Sequence, residues 1–339
     1  MVANGGVRRA VCSALLVCLA CSTTSWKPTP DSPRVPLPRT PVPQLEPGDF
    51  DFEDVKVQPQ GQTVEQNWVL DLYTFFHSRN YSSYRVLLPG SQEDEVTAHL
   101  LIPAGPGPHP VVVLFPILEG SHVVSEGMAK ALVNRGYATA RLERHELELA
   151  KAKSPEVPAL TFRSAILDAR RLLDWLVTHP RLDPERIAAA GVSMGGILAL
   201  TLMGVEPRIR AGFFVSVGGD LPQIFYDSSE RPVKIFRKRL QDKHSLSTRE
   251  EFASYMQPYV ESVDPLTYAK HIDPRDVLLV SGRCDRVVRP RHTRNLWEAL
   301  GRPTWTRYPA GHYQLAPFFW WAVGRGAKHL DRVFAEPAG

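Results

Sequence analysis

The sequence predicts an α/β fold, a mostly parallel sheet covered by helices on both faces. Three observations predict it. Apolar runs alternate with stretches of helical periodicity from Val111 to Phe334, the pattern that lays successive strands parallel. The runs are continuous, as in Val111-Val112-Val113-Leu114-Phe115, so the strands should be buried on both faces. With 339 residues, 43% of them hydrophobic and 9% aromatic, the chain can fill a large core, which excludes wholesale disorder.

Tyr84–Leu88 and Val96–Ile102 are apolar runs bounded by Pro89-Gly90 and Pro103. Polar residues Ser91–Glu95 separate them, so an antiparallel hairpin is expected. Gly105-Pro106-Gly107-Pro108 is a loop, and Val111–Phe115 is the first doubly buried strand. Val123–Arg135 has helical periodicity and stops at Gly136, a residue suited to a left-handed C-cap. Tyr137–Leu142 is the next strand. Leu160–Thr178 is a long helix, because Phe162, Ile166, Ala169, Leu172, Leu173 and Leu176 recur three or four apart. Ile187–Val192 is a strand and Gly195–Met203 a helix. Ala211–Val217, Asp276–Val280 and Thr304–Tyr308 are further strands, with helices near His292–Leu300 and Phe318–Phe334. Residues 222–262 break the rhythm with polar helix-like pieces and aromatics, and predict a small helical cap. Phe225, Tyr226, Phe236, Phe252, Tyr255 and Tyr259 would form its core and shape a pocket. No internal repeat is present.

Ahead of this body, Arg8 and Arg9 precede the apolar stretch Ala10–Ala20. A basic segment followed by a short apolar one predicts a signal peptide over residues 1–20. No apolar run reaches the ~18 residues that span a bilayer. Val17-Cys18-Leu19-Ala20-Cys21-Ser22 resembles a bacterial lipoprotein signal, with Cys18 where leucine is usual. The resemblance implies lipidation of Cys21 and a chain exported to the outer membrane or cell envelope. Soluble secretion or a periplasmic location, with cleavage after Ala20, is the alternative. Loss of residues 1–20 would lower the net charge from +4 to +2, and with Cys21 acylated Cys284 would have no disulfide partner. Residues 21–48 carry eight prolines and predict an extended tether, at ~3.1 Å per residue reaching on the order of 80 Å. Residues 49–82 are an N-terminal extension and residues 83–339 the catalytic domain.

The charge is small and no run of Lys or Arg suggests a nucleic-acid footprint, so a nucleic-acid partner is not expected. Metal-ligand spacings, glycine-rich phosphate loops and redox motifs are missing from the sequence, and no cofactor is expected.

The chemistry is concentrated in Gly191-Val192-Ser193-Met194-Gly195. This G-x-S-x-G follows an apolar strand and opens an apolar helix, the strand–turn–helix setting in which the motif exposes a nucleophilic serine. A serine hydroxyl needs a base to take its proton. Among eleven histidines, His312 is the best placed, in Gly311-His312 after the last strand and before the final helix. His292 and His329 lie at a helix start and within a helix, and are expected to be surface or packing residues. The base needs an acid to hold its tautomer. Asp285 follows the strand over 276–280 and a turn, with Asp220, after the strand over 211–217, as runner-up. Cys284 is expected to be a small core residue.

The order Ser193, Asp285, His312 on this strand pattern resembles the α/β-hydrolase superfamily, over residues 83–336. Arg186-Ile187-Ala188-Ala189-Ala190-Gly191-Val192-Ser193-Met194-Gly195-Gly196 resembles its dienelactone-hydrolase and acetyl-xylan-esterase branch, although true dienelactone hydrolases carry cysteine where Ser193 stands. The resemblance implies an oxyanion hole from the Met194 N–H and an N–H in the loop Phe115–Gly120. Pro116-Ile117 replaces the usual His-Gly there, and Leu118 takes the donor position. The expected function is serine hydrolysis of a small-molecule carboxylic ester through an acyl-enzyme. The alternatives are a prolyl-oligopeptidase-like peptidase, disfavoured because no propeller sequence precedes the body, and a non-catalytic lipoprotein binding module. The ester and the oligomeric state are not legible in the sequence.

Overall fold

The computed structural model describes residues 24–26, 45–46, 54–60, 80–91, 95–118, 122–143 and 147–336. Among them the strands are β1 (Thr24–Trp26), β2 (Lys56–Gln60), β3 (Tyr81–Pro89), β4 (Glu95–Pro103), β5 (His109–Leu114), β6 (Ala138–Leu142), β7 (Leu182–Val192), β8 (Ile209–Val215), β9 (Val277–Gly282) and β10 (Thr304–Tyr308). They join into one sheet in the order β1-β10-β9-β8-β7-β5-β6-β4-β3-β2. The strands from β10 to β6 in that order are parallel, and β4, β3, β2 and β1 are antiparallel additions. The expected mostly parallel sheet is therefore present, and β3 and β4 form the expected hairpin.

The helices are α1 (Val123–Val133), α2 (Glu156–Leu176), α3 (Ser193–Val205), α4 (Leu221–Asp227), α5 (Arg231–His244), α6 (Arg249–Val260), α7 (Pro265–Tyr268), α8 (Pro290–Ala299) and α9 (Phe319–Ala335). They cover both faces, because the central strands send apolar side chains both ways. Phe213 packs into one core with Leu132, Val323 and Leu330 from α1 and α9. Its neighbour Phe214 packs into the other with Phe162, Leu172 and Leu200 from α2 and α3. Phe225, Phe236 and Phe252 of α4, α5 and α6 are fully or nearly fully buried in that second core. These three helices form the insertion predicted over 222–262.

The chain runs from β5 out to β6, then back across β5 to β7. The order reverses between β5 and β7, and the carboxyl ends of strands at such a switch point form a natural crevice.

The extension over 49–82 received no element from the sequence, yet Lys56–Gln60 is a strand paired with β3. Pro59 is tolerated there because β2 is the outermost strand, where a missing N–H costs no ladder bond on the solvent side. The described parts of the Pro-rich stretch lie against the body. Thr24–Trp26 adds antiparallel to β10, covering an edge that would otherwise offer unpaired backbone groups. Leu45 is fully buried, its carbonyl accepting from Arg170 Nη1 at 2.5 Å, and Arg170 also pairs with Glu46. These points of the predicted tether are thus docked instead of free. The signal segment and Cys21 lie outside the described residues.

Candidate active site

Ser193 stands between the last residue of β7 and the first turn of α3, at φ 54°. A left-handed serine is strained, by about 1–2 kcal/mol. Two glycines make the turn possible. A Cβ on Gly191 would lie 2.6 Å from backbone atoms of Gly195 and Gly196, and one on Gly195 would lie 2.6 Å from the carbonyl oxygens of Phe115 and Pro116. The serine turn and the loop after β5 are therefore pressed together, backbone on backbone. The long apolar face of α3 is buried in the core, which holds the turn in place.

His312 follows β10 and precedes a short 3₁₀ segment, Tyr313–Phe318. Its Nε2 is 3.1 Å from Ser193 Oγ, and its Nδ1 is 2.7 Å from Asp285 Oδ2. Asp285 follows β9 and is buried. Its other oxygen, Oδ1, accepts from the backbone N–H groups of Val287 at 2.8 Å and Val288 at 2.9 Å. Those two donors orient the carboxylate, so Oδ2 can only face the imidazole. The three residues singled out from the sequence, 92 and 27 positions apart along the chain, are thereby joined in one hydrogen-bonded row. With Nδ1–H donating to the carboxylate, Nε2 is free to accept the serine proton, which is the arrangement that activates a hydroxyl.

Met194 lies in the first turn of α3, where backbone N–H groups have no intrahelical partner. Leu118 lies in the loop after β5, partly buried against the core. Both residues line one cavity with Ser193 and His312, of about 440 Å³. Its walls are chiefly apolar. Ile117 and Leu118 come from the loop after β5, Ile224 and Phe225 from α4, Val233 from α5, and Phe319 from α9.

The runner-up acid is elsewhere. Asp220, at φ 67°, caps the N-terminus of α4 by accepting from the Gln223 N–H. Burial raises its pKa. Asp264 in turn accepts from the N–H groups of Asp220, Leu221 and Leu266, and burial pushes its carboxyl up to about 6. His292 is deeply buried and bonded to Asp227 at 2.8 Å, beside Arg249 and Arg291. His329 is buried in α9, where desolvation lowers its pKa to about 4. Both are packing residues and neither is a surface one. Cys284 departs from expectation: it is an exposed free thiol. It sits in the turn between β9 and Asp285, tied by its N–H to the Ala310 carbonyl, and turning Asp285 inward leaves its neighbour facing outward.

The structure adds two features that sequence reasoning missed. Tyr313, next to His312, donates to Glu230 at 2.5 Å, linking the histidine loop to the cap across the cavity. Burial and that carboxylate raise the Tyr313 pKa. Ser216, just past β8 at φ 53°, is buried with no hydrogen-bond partner for its Oγ and lines the same cavity. Neither carries a local motif. Among the described residues no cluster of His, Cys, Asp or Glu could hold a metal ion, and no helix is long and apolar enough to cross a membrane.

A model of the prolyl oligopeptidase family matches residues 164–308, a span holding Ser193 and Asp285 and ending before His312. The 2,6-dihydropseudooxynicotine hydrolase of Paenarthrobacter nicotinovorans is 31% identical over 122 residues, 36% of this chain and 31% of that protein. The chain spans about a third of the length of the curated relatives it matches. Among solved structures, an acetyl xylan esterase from Paenibacillus sp. R4 aligns with a TM-score of 0.62 at 17% identity, covering 84% of this chain and 89% of that one. Acetyl xylan esterase 1 from Thermoanaerobacterium sp. JW/SL YS485 aligns at 0.58 and 17%, covering 79% and 87%. Sheet order, the strained serine turn at the switch point and these likenesses agree: the chain has the α/β-hydrolase fold.

Proposed function

We propose that this protein is a serine hydrolase of carboxylic esters. The observation that carries the reading is the row Ser193–His312–Asp285, at 3.1 Å and 2.7 Å, at the mouth of a cavity. In this reading Ser193 Oγ attacks the ester carbonyl while His312 Nε2 takes its proton. Asp285 stabilises the imidazolium. The Met194 and Leu118 N–H groups receive the oxyanion, each worth ~3 kcal/mol in the transition state. Collapse expels the alcohol, which takes the proton from His312. Water then enters, gives a proton to His312 and releases the acid, restoring the serine.

The match to the prolyl oligopeptidase family favours a second reading, a peptidase using the same row. The acetyl xylan esterase likenesses support the ester reading. A fluorophosphonate probe should label wild type and not Ser193→Ala, and a short p-nitrophenyl ester should be turned over faster than an X-Pro anilide. Labelling without ester turnover would favour the peptidase, and no labelling would overturn both readings in favour of a binding module. We also propose lipidation at Cys21, on the Arg-apolar-Cys order of residues 8–21. Cys21→Ala should release a detergent-extracted protein into the soluble fraction, and unchanged partition and mass would refute it.

A further inference from the structure

We infer that the substrate's acyl group is a medium-length aliphatic chain, larger than acetyl; this rests on the serine-hydrolase reading above. A cavity of about 440 Å³ is far more than an acetyl group fills. Pockets of several hundred Å³ hold ligands of drug size.

The wall composition decides the chemistry of what fills it. Ser228 Oγ accepts from the Glu230 N–H, and one Glu230 carboxylate oxygen accepts from Tyr313. Of the polar wall residues outside the row, that leaves Ser216 Oγ as the buried group with no partner. So few polar side chains in a chiefly apolar wall cannot satisfy a sugar or a peptide backbone, whose polar groups would lose water without replacement. An alkyl chain has no such requirement and gains from burial.

The cavity walls are of two kinds, which separates acyl from alcohol. The leaving alcohol must be protonated by His312, so it departs on the side of that residue. Tyr313 there is 64% exposed and engages Glu230, making this side open and polar. The acyl carbon stays on Ser193. Ile197, Ile224, Phe225 and Val233 are all buried and line the cavity that Ser193 also lines. Ile224, Phe225 and Val233 belong to α4 and α5, so the cap supplies the acyl wall.

The test is a series of p-nitrophenyl acetate, butanoate, octanoate and hexadecanoate, with an acetylated xylose for comparison. Each methylene buried is worth about fourfold, so kcat/KM should rise at least tenfold from acetate to octanoate. Ile224→Trp, and separately Val233→Phe, should reduce octanoate kcat/KM at least tenfold more than acetate kcat/KM. An acetate or acetylated-xylose optimum in the wild type would overturn the inference, as would an equal loss on all esters in both variants. Labelling of Ser193 by a small fluorophosphonate separates the two levels. Labelling with an acetate optimum sinks the acyl-chain inference alone, whereas no labelling and no ester turnover sink the serine-hydrolase reading with it.

Discussion

Asp285→Asn should reduce ester turnover by roughly 10⁴ while leaving the fold intact, the loss typical when a triad aspartate becomes an amide. The local geometry says why. Asp285 Oδ1 accepts two backbone N–H groups, from Val287 and Val288 at 2.8 and 2.9 Å. An asparagine must keep its carbonyl oxygen there, because its NH₂ would face two donors. Its NH₂ then points at His312 Nδ1, now 2.7 Å from a carboxylate. Nδ1 is forced to accept, the ring proton moves to Nε2, and Nε2 can no longer take the proton of Ser193. Flipping the amide to restore the tautomer would forfeit two hydrogen bonds to buried backbone, about 1–3 kcal/mol each. Together with the lost stabilisation of the imidazolium, this reaches about 5 kcal/mol, or roughly 10⁴ at 1.36 kcal/mol per decade. The assay is kcat on p-nitrophenyl butanoate beside the thermal midpoint, with Asp220→Asn as control. Asp220 caps α4, so its variant should keep most of the rate. Asp285→Asn within tenfold of wild type, or Asp220→Asn the more damaging, would refute the assignment.

Three other outcomes follow from the same geometry. Gly195→Ala puts a Cβ 2.6 Å from the Phe115 and Pro116 carbonyls; displacing the loop that carries Leu118 should cut kcat by roughly 10², about one oxyanion donor, and an unchanged kcat would show that this loop supplies none. Ser193→Gly should abolish turnover and labelling without lowering the thermal midpoint, because relief of the φ 54° strain, about 1–2 kcal/mol, offsets glycine's backbone entropy of about 0.5–1 kcal/mol; a clear drop in midpoint would deny the strain. His329 is held neutral by burial, with a folded pKa of about 4 against about 6.5 unfolded. The unfolded chain therefore binds the extra proton, and stability present above pH 6.5 is lost as pH falls toward 4, at up to about 1.4 kcal/mol per unit. Urea unfolding at pH 7, 5.5 and 4.5 should show that slope in wild type and a shallower one in His329→Gln, and equal slopes would exclude His329 as its source.

Much of the site was legible because the chemistry announces itself locally. A nucleophilic serine needs a sharp turn, the turn needs glycines, and the glycines sit at fixed offsets from Ser193. His312 and Asp285 were readable from their places after predicted strands, since strand ends of a parallel sheet share one edge. Cys284 was misjudged because residue type says nothing about which way a turn points. Buried apolar strands are equally local: a run such as Val111–Phe115 has few other uses in a chain of this composition.

Sequence by itself therefore determined the fold class, the order of the main strands and helices from Tyr84 onward and the three residues of the hydrogen-bonded row, since each is encoded in periodicity or in a short motif. Only tertiary structure decided how they meet. The distances from Ser193 to His312 to Asp285 depend on β7, β9 and β10 lying in one sheet, and the orientation of Asp285 depends on two backbone N–H groups. The edge strands Thr24–Trp26 and Lys56–Gln60 are too short to have a period and exist because β10 and β3 offer unpaired backbone. The cavity arises where α4 and α5 close over the switch point between β5 and β7. Its size and apolar character depend on contacts among residues up to two hundred positions apart, which no local pattern records.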